Sequence, residues 1–560
     1  MDLNMVATTK RPRSLGYYTP FLILLFVLVS CAVRGYFTIN GLARPADVDS
    51  FRDVGYIQAL LDRNWLGDPP YGDELRFYSP LMHVIAAVAA WATGLSPMVL
   101  WLQASPWFNL LAPLAFFDMS RRLFNLPIAA VATVIFELNG VFVPPWIAAG
   151  YSPWPIVCNL ALPLFFMGVS LIFEHARSPE IRHAVVIGAV SGFAFLTHPY
   201  PAILLTAIAV VTAFSERGLS LKTVAWLSIL GIVELMLALV VLGPLYVKYN
   251  LHTLNSAYAF WVDPIFDTTI PIFDTTDWLL FLKRLSVVAY DVPGFVLVVL
   301  GVLLLLQRRL PDIDRRTQAI LVAWIGVCAV LIFRHYACAF IDGEATLCRI
   351  PIVPVHHSHF YLQAAWSCLW GYVLWKLLSG LHRTIQSRGS LLRAATLIIV
   401  CIGLVGSGLF FKRALHRTYD LGAREWALGN EDNFELDVYD WILRNTRPED
   451  LFVTQEAATD KQLDDRVFAV MAAGRRLVVV PVQFSNPYVD WNERDRRRKS
   501  YLSALSESDG ELCGLVAEAG KGAKAWFLVT NETPAKAKNA NAILRTKTSS
   551  LYQVQPDCKE

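Results

Sequence analysis

The chain has 560 residues and a mass of 62.7 kDa, with 55% hydrophobic and only 17% charged residues and a mean hydropathy of +0.44. Soluble proteins carry about 25% charged residues, so a soluble globule is excluded. The 49 Lys and Arg nearly cancel the 46 Asp and Glu, leaving +3, too little for the basic face that nucleic acid selects. Disorder is excluded too, because 12% aromatic residues must be buried somewhere. A bilayer is the place that fits.

Residues 1–411 form a series of apolar runs of spanning length, and 412–560 have the mixed composition of a water-soluble domain. At the N-terminus Lys10, Arg11 and Arg13 precede an apolar run, and Leu28-Val29-Ser30-Cys31 looks like a lipoprotein cleavage box. The run continues past Arg34 to Phe37, so it reads as a first span. The others are Val99 to Met119, Pro127 to Ile147, Pro153 to Phe173, Ile181 to Pro199, Tyr200 to Phe214, Thr223 to Leu245, Val287 to Leu306, Ala319 to Tyr336, Phe360 to Leu378 and Leu392 to Phe411. The expected fold class is an α-helical polytopic membrane protein of about eleven spans with a small C-terminal α/β domain.

Pro80 to Gly94 is apolar but short, and the positive-inside rule decides its status. Without it, the short loops holding Arg121-Arg122, Arg177 and Arg182, Arg217 and Lys222, Arg308-Arg309 with Arg315-Arg316, and Arg383, Arg388 and Arg393 all face the side of Lys10 to Arg13. It therefore reads as an interfacial or re-entrant helix. The N-terminus is then cytoplasmic, and segments 38–79, 246–286 and 337–359 and the domain 412–560 lie outside.

The first outer segment reads Arg44-Pro45-Ala46-Asp47-Val48-Asp49-Ser50-Phe51-Arg52-Asp53. If extended, it would bring Asp47 and Asp49 to one face, as ligands of a divalent cation such as Mg or Mn or with one as a base. The bland alternative is a solvated loop ahead of an amphipathic stretch, Ser50 to Asn64. At and within the third outer segment stand Arg334-His335, at the end of the preceding span, Arg349 and His356-His357-Ser358-His359. Adjacent histidines rarely share one zinc. Lys248, Lys283, Arg284, Arg334 and Arg349 all fall at outer span ends, where they could bind a lipid phosphate or snorkel to head groups. Glu137 and Glu234 fall near mid-bilayer and Asp291 nearer the outer face. They read as proton relays of a transporter or as protonated helix-to-helix hydrogen-bonding groups.

Further along, Phe77-Tyr78-Ser79-Pro80-Leu81-Met82-His83 leads into the membrane-surface helix, and Arg121-Arg122-Leu123-Phe124 closes the second span. An acidic motif after span one, an aromatic-Pro-Leu run and an Arg-Arg-Leu-Phe turn, in that order, resemble the GT-C superfamily of polytopic glycosyltransferases that use polyprenyl-phosphate-linked sugars. The resemblance covers about three quarters of the chain. Thr197-His198-Pro199, between spans five and six, also looks like what many bacterial members carry. Ser79 stands where Pro is commoner and Asn125 where Gly is, and the Trp-Trp-Asp signature of oligosaccharyltransferases is lacking.

The resemblance implies an acidic residue of the first outer loop as catalytic base or metal ligand, mapping onto Asp47 or Asp49. It implies a polyprenyl-phosphate-linked sugar as donor and an extracytoplasmic glycan, lipid or protein as acceptor. Tyr78, His83, His198, His356 and His357 are expected at the substrate, His198 equally well as a hydrogen-bonded structural residue of its turn, with Lys248, Lys283, Arg284, Arg334 and Arg349 at the donor phosphate. The expected location is a bacterial inner membrane. A lipid or solute transporter and a non-catalytic envelope assembly protein are the competing readings, although no internal repeat is visible.

In the C-terminal part a helical pattern, Phe434 to Arg444, precedes strand-like Leu451 to Thr454, Leu477 to Pro481, Trp526 to Val529 and Ser550 to Val554. No phosphate loop or nucleophile elbow occurs there, which suits a binding or stabilising cap. Cys338 with Cys348 and Cys513 with Cys558 fall on the oxidising side and are expected as two disulfides.

Overall fold

The computed structural model describes residues 15–45, 48–139, 150–177, 180–254, 313–340, 356–387, 424, 436–455, 465–507 and 512–555. The membrane module begins with α1, Leu15–Ile39, an unbroken helix of 25 residues. Cys31 sits inside it, buried and free, with no break at the cleavage-box sequence. After the short helix α2 (Val48–Leu61) come α3 (Leu81–Thr93), α4 (Pro97–Phe108), α5 (Leu111–Leu123) and α6 (Leu126–Asn139). The bundle continues with α7 (Val157–His175), α8 (Ile181–Thr197), α9 (Pro199–Arg217), α10 (Leu221–Tyr249), α11 (Arg315–Phe340) and α12 (His356–Ser387).

Among the described residues, α7, α9, α10 and Tyr18–Ile39 of α1 are long and apolar enough to cross a membrane. The pair α3 with Pro97–Leu123, bent by 113°, passes the same test jointly. At 13 residues and 1.5 Å per residue, α3 is about 20 Å long and cannot cross a core of about 30 Å by itself. The bend fits either a re-entrant element, as expected, or one broken span. Of the eleven spans expected, Val287 to Leu306 and Leu392 to Phe411 lie outside the described residues, as does the 411/412 boundary.

The run Val99 to Met119, read from sequence as one span, is divided at Asn109–Leu110. Pro106 removes an amide donor near the C-terminal end of α4. The Asn109 side chain turns instead to the carbonyls of Ser152 and Trp154, at 2.7 and 3.0 Å. Asn125 caps α6 by accepting from the Ile128 amide at 3.0 Å, which accounts for a polar residue at that turn.

The bundle packs through small residues. A Cβ on Gly188 of α8 would lie 2.5 Å from the Leu230 carbonyl oxygen of α10, so only glycine allows these helices to approach so closely. Glu234 of α10 accepts from Thr206 of α9. Glu137 accepts from the Tyr151 amide at 2.9 Å and from the Cys31 thiol. Both carboxyls are thus engaged in hydrogen bonds between neighbouring segments. One end of the bundle gathers the short-loop charges: Arg122 pairs with Asp118 and Glu174, Arg177 with Glu216, and Arg316 with Asp314.

The C-terminal part is a five-stranded mixed sheet of order β2-β1-β3-β5-β4. Its strands are β1 (Leu451–Thr454), β2 (Arg476–Leu477), β3 (Ala525–Thr530), β4 (Ala540–Arg545) and β5 (Ser549–Val554). Strands β2 and β3 run parallel to β1, and β5 runs antiparallel to β3 and β4. Helices α13 (Leu436–Asn445), α14 (Asp465–Ala472), α15 (Trp491–Ser506) and α16 (Cys513–Ala519) surround it. Strand β4 was not foreseen: it is a mostly exposed edge strand, and its Ala-Asn-Ala start has little strand character. Cys513 is disulfide-bonded. Cys348, Cys558 and the side chain of Cys338 lie outside the described residues.

One shared core joins this sheet domain to α2, α3 and α4. Phe51, Val54 and Ile57 of α2, with Ala86, Ala87 and Trp101 of α3 and α4, pack together with Phe468, Val470, Met471 and Trp526. The sheet domain and α2 therefore lie at the same end of the bundle, away from the Arg122 and Arg316 cluster.

Candidate functional site

The segment after Pro45 enters a helix at Val48 rather than an extended stretch. The expected convergence of Asp47 and Asp49 required a two-residue repeat, and at 100° per residue helical positions two apart diverge by about 200°. Asp47 lies outside the described residues. Asp49, in the first turn of α2, instead meets Arg52, whose Nη1 donates to its Oδ1 at 3.0 Å.

Arg52 also holds a second carboxylate. Its Nη2 and Nε donate to Asp53 Oδ1 at 3.1 and 3.3 Å. His83 Nε2 of α3 lies 3.1 Å from the same oxygen, and the acceptor there makes Nε2 the protonated nitrogen. The four side chains differ sharply in access: Asp49 is 47% exposed, Arg52 7%, Asp53 1% and His83 0%. Burial pushes the Asp53 carboxyl up, but Arg52 and His83 more than reverse this and hold it below the usual carboxylate range. It is a buried anion neutralised by a buried cation.

Aromatic rings fix this chain of groups. The Arg52 guanidinium lies 3.9 Å from the Tyr78 ring centroid and 5.8 Å from that of Phe484 in the sheet domain. His83 stacks on Tyr56 at 5.1 Å, with Tyr78 and Trp101 tilted against it. Arg76 covers the Tyr56 ring at 4.5 Å. Tyr56 donates to Asp68 at 3.0 Å, and Asn486 of the sheet domain donates to the other oxygen of Asp68 at 2.9 Å. Burial raises Asp68 to about 7 against these hydrogen bonds.

The α8–α9 turn meets the start of α12. His198 caps α9 by accepting from the Tyr200 amide, and its ring lies 4.3 Å from that of His357. Tyr200 donates to Ser358 at 2.7 Å and stacks on Tyr361. Ser79 donates to the Phe195 carbonyl at 2.8 Å, fastening the approach to α3 onto the end of α8. Two of the expected histidines are thus brought together, and His83 sits behind Asp53 with no exposed surface. His356 lies at the start of α12, with its side chain outside the described residues.

Of the five expected phosphate ligands, Lys248 has a described side chain. Its ammonium donates to Glu74 at 2.8 Å and to the Asp73 carbonyl at 2.7 Å. Tyr249 beside it stacks on Tyr488 of the sheet domain at 4.7 Å. Lys283, Arg284 and Arg349 lie outside the described residues, as does the side chain of Arg334. Among the described residues no group of three His, Cys, Asp or Glu could hold a metal ion, and the ion-pair partner of Asp49 is a cation.

Sequence reading named Asp47 and Asp49 and passed over Arg52 and Asp53, although both stand in the same string. The missed signal is spacing: residues 49, 52, 53 and 56 fall at i, i+3, i+4 and i+7, one face of a helix.

No protein-family model and no curated protein matches the sequence. Solved structures do. ArnT from Cupriavidus metallidurans, bound to undecaprenyl phosphate, superposes with a TM-score of 0.52 at 13% identity, covering 96% of this chain and 98% of that one. The Archaeoglobus fulgidus oligosaccharyltransferase tethered to an acceptor peptide gives 0.52 at 13% identity over 92% of this chain and 70% of that one. The same enzyme in complex with Zn and sulfate gives 0.50 at 14% identity, over 90% and 68%. At such identity the likeness is one of fold. The chain is an integral membrane protein whose fold is similar to those of ArnT and of the archaeal oligosaccharyltransferase.

Proposed function

We propose that this chain transfers a sugar from a polyprenyl-phosphate-linked donor to an acceptor outside the cytoplasm. What supports the reading most is Asp49: an accessible carboxylate in the first outer segment, braced by a buried Arg52, beside a helix too short to span. A general base needs access to its proton and a fixed direction, and the Arg52 fork provides the direction.

In the proposed reaction the acceptor hydroxyl attacks the anomeric carbon. The bond from that carbon to the phosphate oxygen breaks, and the polyprenyl phosphate leaves with the bonding electrons. The hydroxyl proton passes to Asp49 or Asp47. Basic residues at the outer span ends offset the charge on the leaving phosphate; Arg334, Arg349, Lys283 and Arg284 are the proposed groups, since Lys248 is engaged by Glu74. A glycan, lipid or protein acceptor would approach from the side of the sheet domain. The described residues do not form a cation site, and no step is assigned to a metal.

The long apolar tail of the donor keeps its phosphate at the membrane surface. Purified protein should therefore transfer from a polyprenyl-phosphate sugar and ignore nucleotide sugars, and neutralising Arg334 or Arg349 should weaken donor use more than acceptor use. Transfer from a nucleotide sugar, with the lipid-linked form inert, would reject both the donor and the side of the membrane. The proposed orientation has its own check: introduced cysteines near Arg121 and Arg122 should react only from the cytoplasm, and those near Trp491 only from outside. A cytoplasmic sheet domain would overturn the proposed side of the site.

A further inference from the structure

We propose that Asp53 and His83 are positioning residues, which act through Arg52 to hold the Asp49 carboxylate in its working direction. This rests on the reading of Asp49 as the base. The geometry is a continuous chain, Asp49–Arg52–Asp53–His83, with contacts of 3.0, 3.1 and 3.1 Å. Only its first member reaches solvent.

Each link fixes the next. Arg52 can place Asp49 only if its own planar fork is fixed, since a guanidinium on a flexible stem otherwise samples many rotamers. Asp53 fixes it from one side by accepting from both Nε and Nη2, and the Tyr78 face supports it at 3.9 Å. Asp53 in turn has few ways to be held, because its Oδ2 has no hydrogen-bond partner among the described residues. Oδ1 alone carries Arg52 and His83. His83 is the one link from another helix. It ties α2 to α3, and stacking on Tyr56 holds its ring in place.

The imidazole pairs with the second carboxylate rather than with Asp49, so it acts on Asp49 from behind, through Arg52. Removing the His83 donor should let Asp53 and Arg52 turn, and Asp49 with them. Substrate binding need not change, because neither Asp53 nor His83 reaches the surface.

The test is steady-state transfer by full-length protein in nanodiscs, using a short-chain polyprenyl-phosphate sugar as donor. His83→Phe keeps an aromatic ring but has no donor, and should lower kcat about 10- to 100-fold, the scale of a misplaced catalytic group, with KM for the donor changed less than about threefold. His83→Gln, whose amide can still donate to Asp53, should recover most of kcat. Asp53→Asn should resemble His83→Phe; if it fails to fold, the two His83 variants decide. Unchanged kcat in His83→Phe, an equal change in kcat and KM, or a glutamine variant no better than phenylalanine would overturn the inference. Inactivity of the unmodified protein with this donor would reject the functional reading instead.

Discussion

Asp49→Asn should lower turnover by about 10² to 10⁴, the range for loss of a general base, with little change in thermal stability. The isosteric amide keeps an oxygen that can accept from Arg52 Nη1, so the α2 geometry survives while the proton acceptor is lost. Asp49 is half exposed, so the substitution leaves no unpaired buried charge. Asp47→Asn is the necessary companion, since both acids stand in the first outer segment. Turnover of a lipid-linked donor by the two single variants and the double variant checks this. Full activity in all three would remove the first outer loop from the chemistry.

Gly55→Ala should act through packing. A Cβ at Gly55 would lie 2.1 Å from the Met471 carbonyl oxygen, a backbone atom that no rotamer change can move aside. The contact is closed from the other side by Gly474, in a left-handed conformation at φ 66°, whose own Cβ position lies 3.2 Å from the Gly55 carbonyl oxygen. Helix α2 and the Asp465–Ala472 helix would have to separate, which as overpacking costs about 1 to 3 kcal/mol. Because Phe51 stacks on Phe468 at 5.7 Å and Arg475 pairs with Asp62 at 2.9 Å along the same joint, the shift would also turn Asp49. A lower melting temperature with a fall in kcat is expected. Unchanged melting and full activity would mean that the sheet domain does not hold α2 in place.

The sequence carried the bilayer legibly, since apolar length and short-loop arginines are local signals. Helices α7, α9 and α10 and strands β1, β3 and β5 fall where hydropathy and strand pattern put them. The Thr197-His198-Pro199 turn was legible as a hairpin, and its hydrogen bond to Tyr200 gives His198 a capping role whatever else it touches. The phase of the first outer segment was not legible. Asp47-Val48-Asp49 alternates like a strand, and only the structure shows that the α2 turn starts inside that string. Arg52 and Asp53 were overlooked for the same reason, and His83 depends on a contact 30 positions away. The joint core of α2 with the sheet domain spans more than 400 positions, from Phe51 to Phe468, a distance at which composition says nothing. Asn109 broke a uniform apolar run through a contact with residues 152 and 154, again invisible to a hydropathy window.

In the proposed reaction a lipid phosphate is handled at the outer end of the bundle, where α2, the approach to α3 and the α8–α9 turn meet. A polyprenyl phosphate bearing a photoreactive group next to its phosphate, crosslinked to the full-length protein in nanodiscs and mapped by peptide mass spectrometry, tests it directly. The account predicts labelled peptides containing Asp49 to Asp53, Tyr78 to His83 or His198 to Tyr200, displaced by excess unlabelled polyprenyl phosphate. Displaceable labelling confined to the opposite end, at peptides containing Arg121 and Arg122 or Asp314 and Arg316, would contradict it.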